Sequence, residues 1–239
     1  MLGLSDRYNL LRALMRKHGA KALVKQFRYA YVRPDSRKLI QKHSPRGRGI
    51  EIGVGAQTIA PFKRTILSDA FRSHTKDRSL ATEFFQAHEI PYANNSMDFI
   101  LSEHVLEHVP NPIRVLKEWQ RVLKPGGVVY LFMPHPKRTF DRNRALTPLE
   151  HLLEDERNDV NPSEDVHYEE WMNLVIHADF APHYEGLSKE ECLKTSSLHR
   201  HVWNEKTLAQ LLEHLSFTVL YTEEKVRDRG DSFVVIARK

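Results

Sequence analysis

From Arg48 onward short apolar runs alternate with stretches of helical periodicity. That alternation restricts the chain to crossover-linked strands in a mostly parallel sheet. Gly49 to Ile52, Thr65 to Ser68, Met97 to Leu101 and the continuous run Val128 to Met133 read as strands, and Lys76 to Ala87 as a helix. A second helix is capped by Asn111, starts at Pro112 and carries Ile113, Leu116, Trp119 and Leu123 before Lys124-Pro125-Gly126-Gly127 stops it. A helix over Glu205 to Leu215 follows, and Phe217 to Glu223 pairs with Ser232 to Arg238 across a turn. The expected fold class is α/β, a mostly parallel sheet that ends in an antiparallel hairpin.

Two regions depart from this frame. Residues 1 to 47 form a basic helical N-terminal segment, in which Ser5 caps two short amphipathic helices before Pro34 and Pro45-Arg46-Gly47 break the pattern. Residues 1 to 50 hold 13 Lys/Arg against Asp6 and Asp35, whereas the rest holds 23 against 29 acidic residues. Such a face could meet phosphate, an anionic lipid surface or an acidic substrate, or simply be solvated. Residues 137 to 203 are a polar insert rich in His and acidic residues, with helices at Pro148 to Leu153 and Glu169 to Ile176, and read as a cap over a pocket rather than a second core. Residues 48 to 239, insert included, form the main domain.

With 239 residues, 41% hydrophobic and 28% charged, the composition excludes wholesale disorder. The longest apolar run falls far short of the roughly 18 residues of a spanning helix, and no secretory leader opens the chain, so a cytoplasmic location is expected. Cys192 is the sole cysteine, which excludes an internal disulfide.

The chemistry concentrates on Gly49-Ile50-Glu51-Ile52-Gly53-Val54-Gly55. Glycines directly after a buried strand let the backbone turn sharply and approach a ligand without Cβ interference. A dinucleotide fingerprint would need a third glycine where Thr58 stands, and Pro61 cuts the following helix short. Glu51 would repel a pyrophosphate and suits a cationic group, so a nucleoside with a positive amino-acid tail fits better. Asp69 ends the next strand, 18 residues beyond Glu51, where its two oxygens can accept from a ribose diol.

The order Ile90-Pro91-Tyr92, Ser96-Met97-Asp98, Leu106-Glu107-His108 and Arg121-Val122-Leu123-Lys124-Pro125-Gly126-Gly127 resembles the class I S-adenosylmethionine-dependent methyltransferases, type 11. The resemblance implies a Rossmann-like fold with a seven-stranded, mostly parallel sheet and a helical insert, and S-adenosylmethionine as cofactor. It implies that Glu51, Gly53 and Gly55 border the methionine part and that Asp69 holds the ribose. It places Gln86 and Ala87 at the adenine, and Ser102, Glu103 and His104 at the sulfonium end.

Methyl transfer is an in-line displacement that chiefly needs alignment, and a hydroxyl acceptor adds the need for a general base. Among 14 histidines, His104, His135, His199 and His201 fall near the C-terminal strand edge, where open α/β sheets bind ligands. Glu107 and His108 read as packing or capping residues. In the insert, His151, Asp155, His167, His177 and Asp179 could ligate a divalent ion, but their spacing matches no compact zinc motif and no metal site is assigned.

The sequence thus points to a methyltransferase acting at oxygen on a small-molecule or sugar-containing acceptor. A catalytically silent binding protein, motivated by Gln57 and Gln86, and an RNA methyltransferase, motivated by the basic segment but lacking a stacking module, are the alternatives. Glu51 and Thr58 oppose a nicotinamide oxidoreductase.

Overall fold

The computed structural model describes residues 33–43, 47–55, 57–61, 64–71, 79–158, 167–176, 188–194 and 198–239. The two amphipathic helices expected before Pro34, together with His177 and Asp179, lie outside the described residues, and so does the side chain of Cys192.

The described strands form one seven-stranded sheet in the order β3-β2-β1-β4-β5-β7-β6. They are β1 (Gly49–Ile52), β2 (Thr65–Asp69), β3 (Glu83–Phe84), β4 (Met97–Glu103), β5 (Leu123–Pro134), β6 (Thr218–Glu223) and β7 (Ser232–Arg238). From β3 through β5 every pairing is parallel, while β7 runs antiparallel to both β5 and β6. The sequence reading of a mostly parallel sheet closed by a hairpin holds.

The helices are α1 (Pro34–Lys42), α2 (Pro112–Val122), α3 (Leu149–Asn158), α4 (His167–Trp171), α5 (Lys189–Lys194) and α6 (Glu205–His214). Asn111 caps α2 through its side-chain oxygen, which accepts from the Arg114 N–H at 2.9 Å. Asn204 and Thr207 form a capping box at the start of α6.

Alternate residues of the central strands feed opposite cores, as the two-residue period of a strand requires. Ile50, Ile52, Ile100, Val129 and Leu131 pack with Ile113, Leu116, Trp119, Leu208 and Leu211 of α2 and α6. Phe99, Leu101, Val128, Tyr130 and Phe132 meet Ile40 of α1 and Ile59 on the other face. The insert has a small cluster of its own in Trp171, Val175, Ile176 and Leu198. It therefore carries a modest core, where the sequence suggested only a cap.

Two local readings are corrected. Pro34 does not break the chain's helicity but opens α1 at its first position, where its missing N–H costs nothing. Asp228 replaces the absent side-chain cap, accepting from the backbone N–H groups of Asp35 at 2.8 Å and Ser36 at 3.0 Å. The described part of Lys76 to Ala87 contains no helix: Glu83–Phe84 is an edge strand paired with Ser68 and Asp69. Pairing with the sheet overrides a local helical pattern here.

Among the described residues no helix is long and apolar enough to cross a membrane. Between β1 and β2 the described residues form no helix, in keeping with Pro61.

Gly53 turns the chain out of β1 with φ +73°, and a Cβ there would stand 2.2 Å from Cγ2 of Val105. Gly53→Ala should therefore lower stability by about 1–3 kcal/mol in urea denaturation. Adding Val105→Ala should recover the steric part as a favourable coupling in a double-mutant cycle.

Candidate active site

The ends of β1, β2 and β4 lie side by side, so their exits share one edge of the sheet. The N–H groups of Gly53 and Val54 both donate to the Ser68 carbonyl, at 2.9 and 3.0 Å, which folds the turn after β1 over the end of β2. Gly55, also left-handed at φ +51°, donates its N–H to Asp69 Oδ2 at 3.2 Å. Oδ1 of Asp69 accepts from the Ala70 N–H at 2.8 Å. A carboxylate offers about four acceptor positions, so each oxygen keeps one for a ligand hydroxyl.

Glu51 is held by the segment after the glycines. Its carboxylate accepts from the Thr58 hydroxyl and from the N–H groups of Ile59 at 3.1 Å and Ala60 at 3.3 Å. Burial nevertheless pushes it up to about 7, against the lowering effect of those hydrogen bonds.

At the end of β4, Ser102 is fully buried and its Oγ has no hydrogen-bond partner among the described residues. Glu103 is held by Arg33 of the segment entering α1 and faces Arg229 at 3.8 Å. Gln86 is exposed and Ala87 buried, with the Ala87 carbonyl accepting from the Trp119 indole at 3.0 Å.

The strand then delivers a cluster that the sequence reading had not assembled. Glu107 is 1% exposed, and neither of its carboxylate oxygens has a side-chain or backbone partner at hydrogen-bond geometry among the described residues. Three imidazole nitrogens surround Oε1: His108 Nε2 at 3.8 Å, His199 Nε2 at 3.9 Å and His104 Nδ1 at 4.0 Å.

The second nitrogen of each ring fixes its tautomer. Nδ1 of His199 donates to Asp141 Oδ2 at 2.6 Å, and Nδ1 of His108 donates to the Leu198 carbonyl at 3.0 Å. Ser232 Oγ donates to Asp231 at 3.1 Å, so Nε2 of His104 donates to Ser232 at 2.7 Å. The neutral rings of His104 and His108 thus turn a lone pair toward Glu107, in a pocket that favours a proton or a cation.

Electrostatics agree with that assignment. Burial raises Glu107 to about 7, partly offset by His199. Burial and then the positive charge of Arg229 hold His104 well below the usual histidine range. Burial and the neighbouring His199 bring His108 down to about 3. Asp141 is lowered, because the pull of His199 and Arg144 outweighs its burial.

Of the four histidines expected at the strand edge, His104 and His199 meet at Glu107. His135 lies elsewhere, its Nδ1 accepting from the Lys137 N–H at 3.2 Å and its Nε2 3.5 Å from Glu224. His201 belongs to a second group with His151, Asp155 and His167. Sequence reasoning missed Glu107 and Asp141 as site residues. A surface hollow of about 460 Å³ lies along α2 between His88, Arg114, Lys117, Arg121 and Glu156, and none of the strand-edge residues lines it.

Asp141→Ala would leave His199 and the buried Arg144 without their shared carboxylate, and should cost about 3 kcal/mol in urea denaturation. Glu224→Ala, which removes an exposed partner of Arg138, should stay within about 0.5 kcal/mol of the parent.

Comparison with known proteins agrees with this geometry. A family model described as a methyltransferase domain matches residues 63–131. An uncharacterized protein of Methanocaldococcus jannaschii is 34% identical over 96 residues, covering 38% of this chain and 47% of that protein. The ubiquinone biosynthesis O-methyltransferase of Histophilus somni is 30% identical over 148 residues, covering 55% of this chain and 58% of the enzyme. The chain therefore spans about half the length of these relatives.

Among solved structures, an S-adenosylmethionine-dependent methyltransferase of Mesorhizobium loti aligns with TM-score 0.51 and 14% identity over 86% of this chain and 98% of that one. A chain from a complex of a Haloferax volcanii methyltransferase with its activator aligns with TM-score 0.51 and 13% identity, covering 95% and 96%. At these identities the likeness is one of fold.

Proposed function

We propose that this chain is a class I S-adenosylmethionine-dependent methyltransferase of type 11 and methylates a hydroxyl of a small-molecule or sugar-containing acceptor. The observation that carries the proposal is the contact between Gly53 and Val105. It sets the glycine turn after β1 against the segment that holds His104 and Glu107, so a cofactor cradle and a set of proton acceptors share one corner.

The residues fit the cofactor. Gly53 and Gly55 keep the turn free of Cβ atoms, Asp69 has acceptor capacity left for a ribose diol, and the unpartnered Ser102 hydroxyl sits at the neighbouring strand end. Gln86 and Ala87 flank the adenine position, and Glu51 adds negative charge behind the methionine tail. When bound, S-adenosylmethionine supplies a methyl group on a sulfonium, ready for displacement without covalent help from the protein.

The chain's own work is alignment and proton handling. His104, neutral and with Nδ1 unprotonated, is placed to take the proton of an acceptor hydroxyl. His199 is oriented by Asp141 in the same way that a carboxylate fixes the tautomer of a catalytic imidazole. Glu107 stores or releases a proton near neutral pH, because burial has brought it to about 7. The insert supplies His199 and Asp141, so acceptor choice lies with the insert.

Two measurements test this reading. Calorimetry should detect S-adenosylhomocysteine binding to the full chain, and Asp69→Ala should weaken it more than about tenfold, at 1.5–3 kcal/mol per charge-assisted bond. Unchanged affinity in that variant would remove Asp69 from the site, and no binding by the parent protein would end the proposal.

Glu51 predicts a pH dependence. The ligand's ammonium group favours the ionised carboxylate, which forms as pH rises through about 7. Affinity should therefore climb about threefold to tenfold between pH 6 and 8, with net proton release at pH 7. Glu51→Gln, checked for folding by circular dichroism, should flatten the profile.

A further inference from the structure

We propose that His151, Asp155, His167 and His201 form a structural binding site for one divalent transition-metal ion of the zinc type. The four residues come from three places in the insert. His151 and Asp155 stand one turn apart on α3, His167 opens α4, and His201 lies in the segment leading to α6. Each offers one ligand atom, and the four atoms lie within 4.8 Å of one another.

Four of the six donor separations approach the edges of a coordination tetrahedron, and the other two lie within 4.8 Å. His151 Nε2 is 3.3 Å from Asp155 Oδ2 and 3.4 Å from His167 Nε2. Asp155 Oδ2 is 3.9 Å from His167 Nε2 and 4.0 Å from His201 Nε2. Donors at about 2.0–2.1 Å from a tetrahedral zinc ion stand about 3.3–3.4 Å apart. Two of these four edges already match, and the other two need to close by about 0.6 Å.

The donor chemistry also fits. Three imidazoles favour zinc over calcium or magnesium, and zinc also accepts a carboxylate oxygen as its fourth ligand. Asp155, His167 and His201 are buried, and His151 closes the solvent side. Four protein donors leave no open coordination position, so the site is structural and not a second catalytic centre. The Pro110 carbonyl, 3.4 Å from His201 Nε2, is the contact that ligation would displace.

An ion here has a mechanical purpose. The insert's own apolar cluster is small, and a metal can supply the folding energy that such a core lacks. The ion would pin α3 and α4 to the segment that carries His199. The same segment is stitched to the turn that follows β4 by the N–H groups of Arg200 and His201, which donate to the Glu107 carbonyl at 2.8 and 3.3 Å. Under this assignment His201 holds metal and leaves acid–base work to His104 and His199.

Metal content of the tag-free full chain, measured by inductively coupled plasma mass spectrometry, is the test. About one zinc per chain is expected, restored after chelation by added zinc or by cobalt(II), the latter with the intense visible absorption of a four-coordinate site. The His151→Gln/His167→Gln double variant should bind more than about a hundredfold more weakly, beyond the effect of outer-shell partners. Glu107→Gln/His108→Gln should keep the ion and the cobalt spectrum.

No stoichiometric binding by the folded, metal-free parent would overturn the proposal. So would an ion lost only from the Glu107 and His108 variant, which would assign it to the other cluster. S-adenosylhomocysteine affinity is read separately, so the metal assignment and the methyltransferase reading can fail independently.

Discussion

A buried carboxylate with no hydrogen-bond partner among the described residues must be compensated by its surroundings, and Glu107 is such a group. Protonation near neutral pH supplies that compensation. Three imidazoles ring the acid, each fixed by a partner on its far side: Asp141 for His199, the Leu198 carbonyl for His108 and Ser232 for His104. These partners come from the insert and from the first residue of β7. The end of β4, the insert and the terminal hairpin are consequently tied to one buried acid.

The same residue organises the chain around it through its backbone. Its carbonyl receives the segment 198–203, and Arg144 grips that segment from the other side through the carbonyls of His199 and Arg200 at 2.7 and 3.1 Å. Arg144 also pairs with Asp141 at 3.0 Å, so the group that orients His199 is itself held in place. A buried ionic network of this kind contributes more to fixing geometry than to net stability. For the proposed methyl transfer, where alignment supplies most of the rate, fixed geometry is the relevant output.

How much was legible in advance varied with the range of the forces involved. β1 could be read to the residue, because an apolar run bounded by Gly49 and Gly53 carries its own punctuation. The cap at Asn111 and the terminal hairpin were equally local. Glu83–Phe84 was misread as helix because its strand character comes only from pairing with β2. Pro34 was misread because its helix is capped by Asp228, which lies far along the chain. At the site, strand-end position singled out His104 and His199, whereas Glu107 looked like ordinary packing until its lack of partners was known. His199 and His201, two residues apart in an irregular segment, go to different clusters, a divergence that spacing could not reveal.

The amino-acid sequence alone determined the sheet's alternation, the glycine turn with Asp69 beside it, and the motif order of a type 11 methyltransferase, since each depends on neighbours within a few residues or on fixed spacing. Only the tertiary structure decided which acids and histidines meet. Charge, burial and tautomer are set by groups that chain folding brings from positions tens of residues apart, and no local pattern encodes that convergence.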